Sequence, residues 1–376
     1  MREQTKIVTE NPDESVGAIT TPIYQTTSYV LPKGEKYRYT REKNPTVERL
    51  EEKIAEITNS ESATVFSSGM AAISTTLLNF LKPGMSLLIQ KGIFARTYRF
   101  CMDFLRSLNI RVVATKPDTE NIEEALKSER FNVVFLESIT NPLLRVVDLP
   151  RISKVAKDLG TVVIVDSTLS TPINQKVIEQ GADIDVESMS KFIAGHNDVI
   201  AGYAAGNKDK ISQIDQLRRT LGGALDPHAA YLVLRGLKTL KLRMDVINRN
   251  AQRIAEFLDD HPKVKFVYYP GLRDNIDNAI ASKVLKGYGG IVSFEIRGTK
   301  DDVLRMFSKL KLITVSQTFG GINSVISHPM TMSHRSLTAE EMKEAGITES
   351  LVRLSVGIED VDDLIEDLDQ ALMSFR

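Results

Sequence analysis

From about residue 60 to 205, short apolar runs rich in Val and Ile alternate with helix-length segments, at 63–66, 86–90, 111–115, 132–137, 161–165, 183–187 and 199–204. Runs this short and nearly continuous lack the in-out alternation of a one-sided strand. They belong to a sheet covered on both faces, and helix-length spacers between them make most of its strands parallel. The pattern predicts an α/β domain over residues 43–242, built on a mainly parallel seven-stranded sheet. Ahead of it, Pro12, Pro22, Pro32 and Gly34 break residues 1–42 too often for a core element, so this segment is expected to form an extended arm. Beyond about residue 242 the rhythm changes to a long helix over 246–258, strand candidates at 264–269, 290–296, 312–316 and 351–355, and a closing helix over 361–374. That change predicts a smaller α+β domain over 243–376. The chain carries no internal repeat and no low-complexity stretch.

At 376 residues the chain is long enough for two domains. Lys and Arg (48) nearly balance Asp and Glu (49), with no long run of like charge, which argues against a nucleic-acid or acidic-membrane partner. Small molecules or further copies of the chain are the expected partners. Cys101 is the single cysteine, so no intramolecular disulfide can form, and the five histidines show no metal-ligand spacing. No metal is expected, and a reducing cytoplasm fits best. Met1 to Pro12 is polar, and no stretch approaches the ~20 apolar residues that span a bilayer.

In open parallel sheets ligands collect at the carboxyl ends of the strands, so the residues just past each run carry the candidate chemistry. Past 183–187, Ser188-Met189-Ser190-Lys191-Phe192-Ile193-Ala194-Gly195-His196 sets one lysine between two hydroxyls and a Gly-His turn. This arrangement suits a lysine that forms a Schiff base with a phosphorylated aldehyde cofactor, with Ser188 and Ser190 completing a phosphate cup. Past 63–66, Ser67-Ser68-Gly69-Met70-Ala71-Ala72 is a small-residue turn opening a helix, either an ordinary N-cap or a phosphate site. Past 161–165 comes Asp166, a strand-end carboxylate of the kind that keeps the ring nitrogen of pyridoxal phosphate protonated; as a plain N-cap it would need no ligand. Past 132–137, Asn141-Pro142 is a turn signal whose Asn141 is placed to hydrogen-bond cofactor or substrate.

With these residues in order, the chain resembles the cysteine and methionine metabolism family of pyridoxal-phosphate enzymes, which includes cystathionine gamma-synthase, cystathionine gamma-lyase, cystathionine beta-lyase and methionine gamma-lyase. The resemblance runs from about Tyr24 to the C-terminus. Its further motifs are Tyr37-Arg38-Tyr39-Thr40-Arg41 with Asn44-Pro45-Thr46, Gly181-Ala182-Asp183, Arg235 to Leu240, Gly320-Gly321, Ser324 and Arg353 to Asp360. It implies the type I, aspartate-aminotransferase-like fold of pyridoxal-phosphate transferases. It also implies that Lys191 is the Schiff-base lysine and proton shuttle, that Asp166 pairs with the pyridinium, and that Ser68, Gly69, Met70, Ser188 and Ser190 form the phosphate cup. Tyr39 and Arg41 match a pair reaching the phosphate from a neighbouring subunit. That makes a homodimer the minimal active unit and a tetramer the expected assembly. Arg353 matches the clamp on the substrate carboxylate, a bidentate role that lysine fills poorly, and Ser324, Asn141 and Arg99 match positions that assist substrate binding.

The chain departs from the family at four places, one of them Arg96, which stands where the family has a small residue or, in methionine gamma-lyases, a cysteine. Phe94 stands where a ring-stacking tyrosine is usual, so it can stack but cannot transfer a proton. Asn323 stands where a glutamate helps hold a substrate amine, and Ser167 replaces an asparagine beside Asp166. The resemblance implies a transsulfuration enzyme working on sulfur amino acids or O-acylhomoserine by gamma-replacement or gamma-elimination. Gamma-synthase chemistry ranks first, then gamma-lyase or methionine gamma-lyase, then beta-lyase. A catalytically degenerate homologue that keeps the cofactor is the reading from another class.

Overall fold

The computed structural model describes residues 1–9, 17–31, 36–335 and 337–375; Pro12, Pro32 and Gly34 lie outside them. The large sheet has strands β1 (Ser62–Phe66), β2 (Ser86–Gln90), β3 (Arg111–Thr115), β4 (Val133–Glu137), β5 (Val162–Asp166), β6 (Ile184–Glu187) and β7 (Gly202–Gly206). Their order is β1-β7-β6-β5-β4-β2-β3, and β7 alone runs antiparallel to its neighbours. β2, β4, β6 and β7 are buried along their whole length, the condition that removes alternation from their sequences. The α/β class and the seven-stranded, mostly parallel sheet are therefore as the hydrophobic pattern predicts.

The smaller sheet comprises β8 (Val264–Tyr268), β9 (Ile291–Ile296), β10 (Thr314–Val315), β11 (Val325–Ser327) and β12 (Leu351–Ser355), in the order β10-β11-β12-β9-β8. Only the β10–β11 pair is parallel. The helix Leu240–Asp260 lies between the two sheets in sequence, and one continuous apolar core takes in Val65 and Tyr203 of the large sheet, Ile247 and Ile254 of this helix, and Phe294 and Leu354 of the small sheet. Leu169, just past β5, and Met189 and Phe192, just past β6, join the same core, which brings the loops after β5 and β6 against the small sheet.

Three details differ from the pattern. The seventh strand starts at Gly202 and not near 199, because the Ser190 hydroxyl takes both the amide and the carbonyl of Ala201, at 3.0 and 3.2 Å, while Ile200 stays exposed. β11 is only three residues long, too short for a periodic signal. At the start of the arm, Glu3–Val8 is a helix whose Ile7 is buried in the main core. Contacts distant in sequence hold it: Lys53 Nζ donates to the carbonyls of Lys6 and Thr9 at 2.7 and 2.9 Å, and Lys176 pairs with Glu3 at 2.8 Å.

Candidate active site

Lys191 rides on a tight turn after β6, in which Gly195 N donates to Lys191 O at 2.8 Å. Arg243 clamps this turn from the helix Leu240–Asp260. Its buried guanidinium donates to the carbonyls of Phe192 (2.6 Å), Ile193 (2.9 Å) and Gly236 (2.9 Å). On the other side Gly320 has φ 82°, and a Cβ there would meet Phe192 N at 2.7 Å, so only glycine lets the two backbones approach. The lysine is thus held at its backbone while its amine points into the space between the sheets.

That amine lies 4.7 Å from the centroid of the Phe319 ring, with Thr318 Oγ1 at 3.5 Å. Burial, and then the nearby charge of Arg353, lower the Lys191 pKa to about 8. A substantial neutral fraction near physiological pH leaves the amine in the form that can attack a carbonyl carbon or take up a proton.

Asp166 ends β5 and is buried. Thr168 fills one of its oxygens, Oδ1, through its amide (3.0 Å) and its hydroxyl (2.5 Å), and Oδ2 accepts no hydrogen bond among the described residues. The same Thr168 hydroxyl accepts from Ser188 N at 2.9 Å, tying the ends of β5 and β6 together. Burial pushes the Asp166 pKa up to about 6, against the pull of Thr168. A carboxylate at that position gains from a cationic partner. Beside it, paired in register, Glu137 accepts from Phe94 N at 2.6 Å; burial and the Asp166 charge hold Glu137 far above the usual carboxylate range.

Arg353, in the middle of β12, is the largest fully buried side chain. It donates to Asn141 Oδ1 (3.3 Å) and to the carbonyls of Gln317 (2.8 Å) and Thr318 (3.1 Å), and it lies over the same Phe319 ring at 5.3 Å. Its Nε has no partner, and no carboxylate pairs with it among the described residues. A buried guanidinium with a vacant donor is a receptor for an anion of carboxylate shape.

At the helix Gly69–Phe80, the Ser68 hydroxyl caps Ala71 N at 3.1 Å, whereas the amides of Gly69 and Met70 find no acceptor among the described residues. A Cβ on Gly69 would meet Ser188 Cβ at 2.7 Å, so the helix start and the lysine turn form one cradle. Free amides at a helix N-terminus flanked by Ser188 suit a phosphate. Ser190, in contrast, spends its hydroxyl on Ala201. A phosphate, a protonated ring nitrogen and an aldehyde carbon therefore each find a complement here, and the residues fit pyridoxal phosphate.

The remaining candidates divide. Phe94 adjoins the site through Glu137, and Asn141 through Arg353. Ser324 is buried behind it, its hydroxyl held by Glu359 (2.9 Å) and Gly357 N (2.9 Å), while Asn323 is exposed. Arg99 pairs with Glu341 at 2.6 Å. Tyr39 and Arg41 pack on each other, and Arg41 donates to Arg219 O at 2.6 Å, so neither contacts Lys191 of its own chain. Thr318, Phe319, Glu137, Thr168 and Arg243 were not among the sequence candidates. Thr168 and Glu137 sit at strand ends already singled out, but nothing local marks Phe319 or Arg243.

A family model described as Cys/Met metabolism PLP-dependent enzyme matches residues 4–373. Cystathionine gamma-synthase 1, chloroplastic, of Arabidopsis thaliana is 40% identical over 367 residues, which is 94% of this chain and 65% of that protein. The chain thus spans just under two thirds of that relative's length. Cystathionine gamma-lyase of Bacillus subtilis is 39% identical over 366 residues, 96% of each protein. The solved cystathionine gamma synthase from Xanthomonas oryzae pv. oryzae, in complex with aminoacrylate and cysteine, matches with a TM-score of 0.96 at 33% identity, covering 100% of this chain and 98% of that one.

Proposed function

The chain belongs to the cysteine and methionine metabolism family of pyridoxal-phosphate-dependent enzymes, and from that premise we propose that it works at the gamma carbon of a sulfur amino acid or an O-acylhomoserine, as a cystathionine gamma-synthase. The observation that carries an amino-acid substrate is the placement of Lys191 and Arg353 over one ring, 4.7 and 5.3 Å from the Phe319 centroid. Arg353, with its vacant Nε, holds the alpha-carboxylate, which brings the alpha carbon beside the Lys191 amine. Lys191 would hold the cofactor's aldehyde carbon, and as a free amine its lowered pKa lets it move protons at the alpha, beta and gamma carbons of the substrate. Pyridoxal phosphate supplies an electron sink when bound, and Asp166 keeps its ring nitrogen protonated. Phe94 would stack on the cofactor ring without a hydroxyl to offer, leaving proton traffic to Lys191.

Relatives named gamma-synthase and gamma-lyase favour gamma chemistry, and the gamma-lyase of B. subtilis, matched along 96% of both chains, makes gamma-elimination the second reading. Tyr39 and Arg41 are assigned to a neighbour's phosphate cup, with a dimer as the smallest active unit and a tetramer as the full assembly. Among the described residues no helix is long and apolar enough to cross a membrane. We place the protein in the cytoplasm on its single, buried cysteine, Cys101, which fits a reducing compartment.

The test is to incubate cofactor-loaded protein with L-cystathionine and identify the oxo acid. 2-Oxobutyrate is expected, and cystathionine formation from cysteine plus an O-acylhomoserine then separates synthase from lyase. Pyruvate would place cleavage at the beta carbon and overturn the proposal. Arg353→Lys is expected to lower kcat/KM roughly 30-fold to several thousand-fold, the range for losing a buried bidentate charge pair of about 2 to 5 kcal/mol. Steady-state kinetics with the alpha-carboxyl substrate measures it; a change below threefold would remove Arg353 from substrate binding.

A further inference from the structure

Beneath the lysine turn, on the face of the sheet opposite the Asp166 side chain, lie two more acids that the chemistry above does not use. Asp185 and Glu187 of β6 are 1% and 0% exposed. Tyr203, opposite Glu187 on β7, lies with its hydroxyl 2.9 Å from Asp185 Oδ2 and 3.0 Å from Glu187 Oε2. Ser167 Oγ lies 2.6 Å from Asp185 Oδ1 and 3.4 Å from Glu187 Oε2. Glu187 Oε1 is buried without any partner. Among the described residues neither carboxyl has a Lys, Arg or His within ion-pair distance, and no group of acids there is arranged to hold a metal.

The hydrogens can be counted. Ser167 and Tyr203 bring one O–H each, an ionised carboxylate only accepts, and three contacts of 3.0 Å or less must be made. With both acids ionised, one short contact would set lone pair against lone pair. One added proton resolves it: Ser167 and Tyr203 both donate to Asp185, and Glu187, as a carboxylic acid, donates to the Tyr203 oxygen.

We propose that Glu187 is a neutral acid donating through Tyr203 to an ionised Asp185, so that this buried pair carries one negative charge and Asp166 remains the ionised carboxylate at the cofactor ring. Two charges here, on the strand next to β5 and about 4.8 Å from it, would push a proton onto Asp166. Burial, and after it the Asp166 charge, raises Asp185 to about 7 while the Ser167 and Tyr203 hydroxyls hold it down; burial and then the Asp185 charge raise Glu187 well above the ordinary carboxylate range, so Glu187 is the one that keeps its proton. The other charges facing the pair are Asp166 on β5 and Lys176, which pairs with Glu3 and is drawn toward neutrality by burial. Asp185, Glu187 and Tyr203 are positioning residues that set the charge Asp166 feels.

The test uses holoenzyme loaded with ring-¹⁵N pyridoxal phosphate, following the ¹⁵N shift against pH, together with infrared spectra in the carboxylic acid C=O region. Glu187→Gln replaces a neutral donor with a neutral donor. It is expected to lose one buried carboxylic acid band at neutral pH and to keep the ¹⁵N midpoint of the wild type. Asp185→Asn/Glu187→Gln removes the remaining charge and is expected to lower the midpoint by about 1 pH unit, a tenfold change. No band lost in Glu187→Gln, or a midpoint shift already in that single variant, would overturn the assignment. Glu187→Gln compared with wild type decides between these outcomes even if the double variant does not fold.

Discussion

Lys191→Ala is expected to leave a folded protein that cannot hold its cofactor covalently and has lost on the order of 10⁴-fold or more in turnover, since nucleophile and proton carrier disappear together. The fold survives because the turn is held by its backbone: Arg243 keeps the carbonyls of Phe192 and Ile193, and Gly320 still packs against the chain. Only part of an aliphatic stem over Phe319 is lost, about 1 kcal/mol of packing. Borohydride reduction followed by mass spectrometry should find the cofactor mass on Lys191 in the wild type and nowhere in the variant. The lysine's environment adds a pH signature. Burial and Arg353 set its pKa at about 8, so capture of cofactor by the empty wild-type protein should speed up as pH rises toward 8 and level off above it. A variant that retained covalent cofactor, or turned over within tenfold of wild type, would move the chemistry to another residue.

How much of this was legible beforehand depended on the range over which each feature is determined. The strands of the large sheet and the strand-end residues Lys191 and Asp166 are local statements: an apolar run ends, and a reactive side chain follows. Their meeting follows from the rule that parallel strands open at one edge. What the pattern missed is set by contacts far along the chain. Ile200 reads as strand, but the Ser190 hydroxyl takes the backbone of Ala201 and delays β7. Ile7 reads as part of a broken arm, but Lys53 and Lys176 anchor its helix to the core. Phe319 is an ordinary aromatic before two glycines until β12 brings Arg353 over it. Arg243 looks like one more basic residue on a helix until the lysine turn wraps its carbonyls around it. Asp185 and Glu187 lie inside a run that reads simply as a covered strand, and the hydroxyl that joins their carboxyls comes from Tyr203 on β7, opposite Glu187.

Asp166→Asn is expected to keep the cofactor on Lys191 yet lower kcat by about 10²- to 10⁴-fold, the range for removing a charge that acts mainly in the transition state. The carboxamide still accepts from Thr168, so the packing at the end of β5 persists, but a neutral group no longer favours a protonated ring nitrogen. Electrons released at the alpha carbon then have no cationic sink. The pattern is the converse of Lys191→Ala, with covalent mass retained and turnover lost, so the two variants separate attachment from activation. The pH dependence sharpens the contrast. In the empty protein burial raises Asp166 to about 6, and binding needs its anion. Cofactor affinity should therefore fall up to about tenfold per pH unit below 6 in the wild type, and this limb should vanish in Asp166→Asn. Equilibrium titration of the two empty proteins across that range measures it. If the variant kept the acid limb, or kept kcat within threefold, the ring nitrogen would owe its proton to a different group.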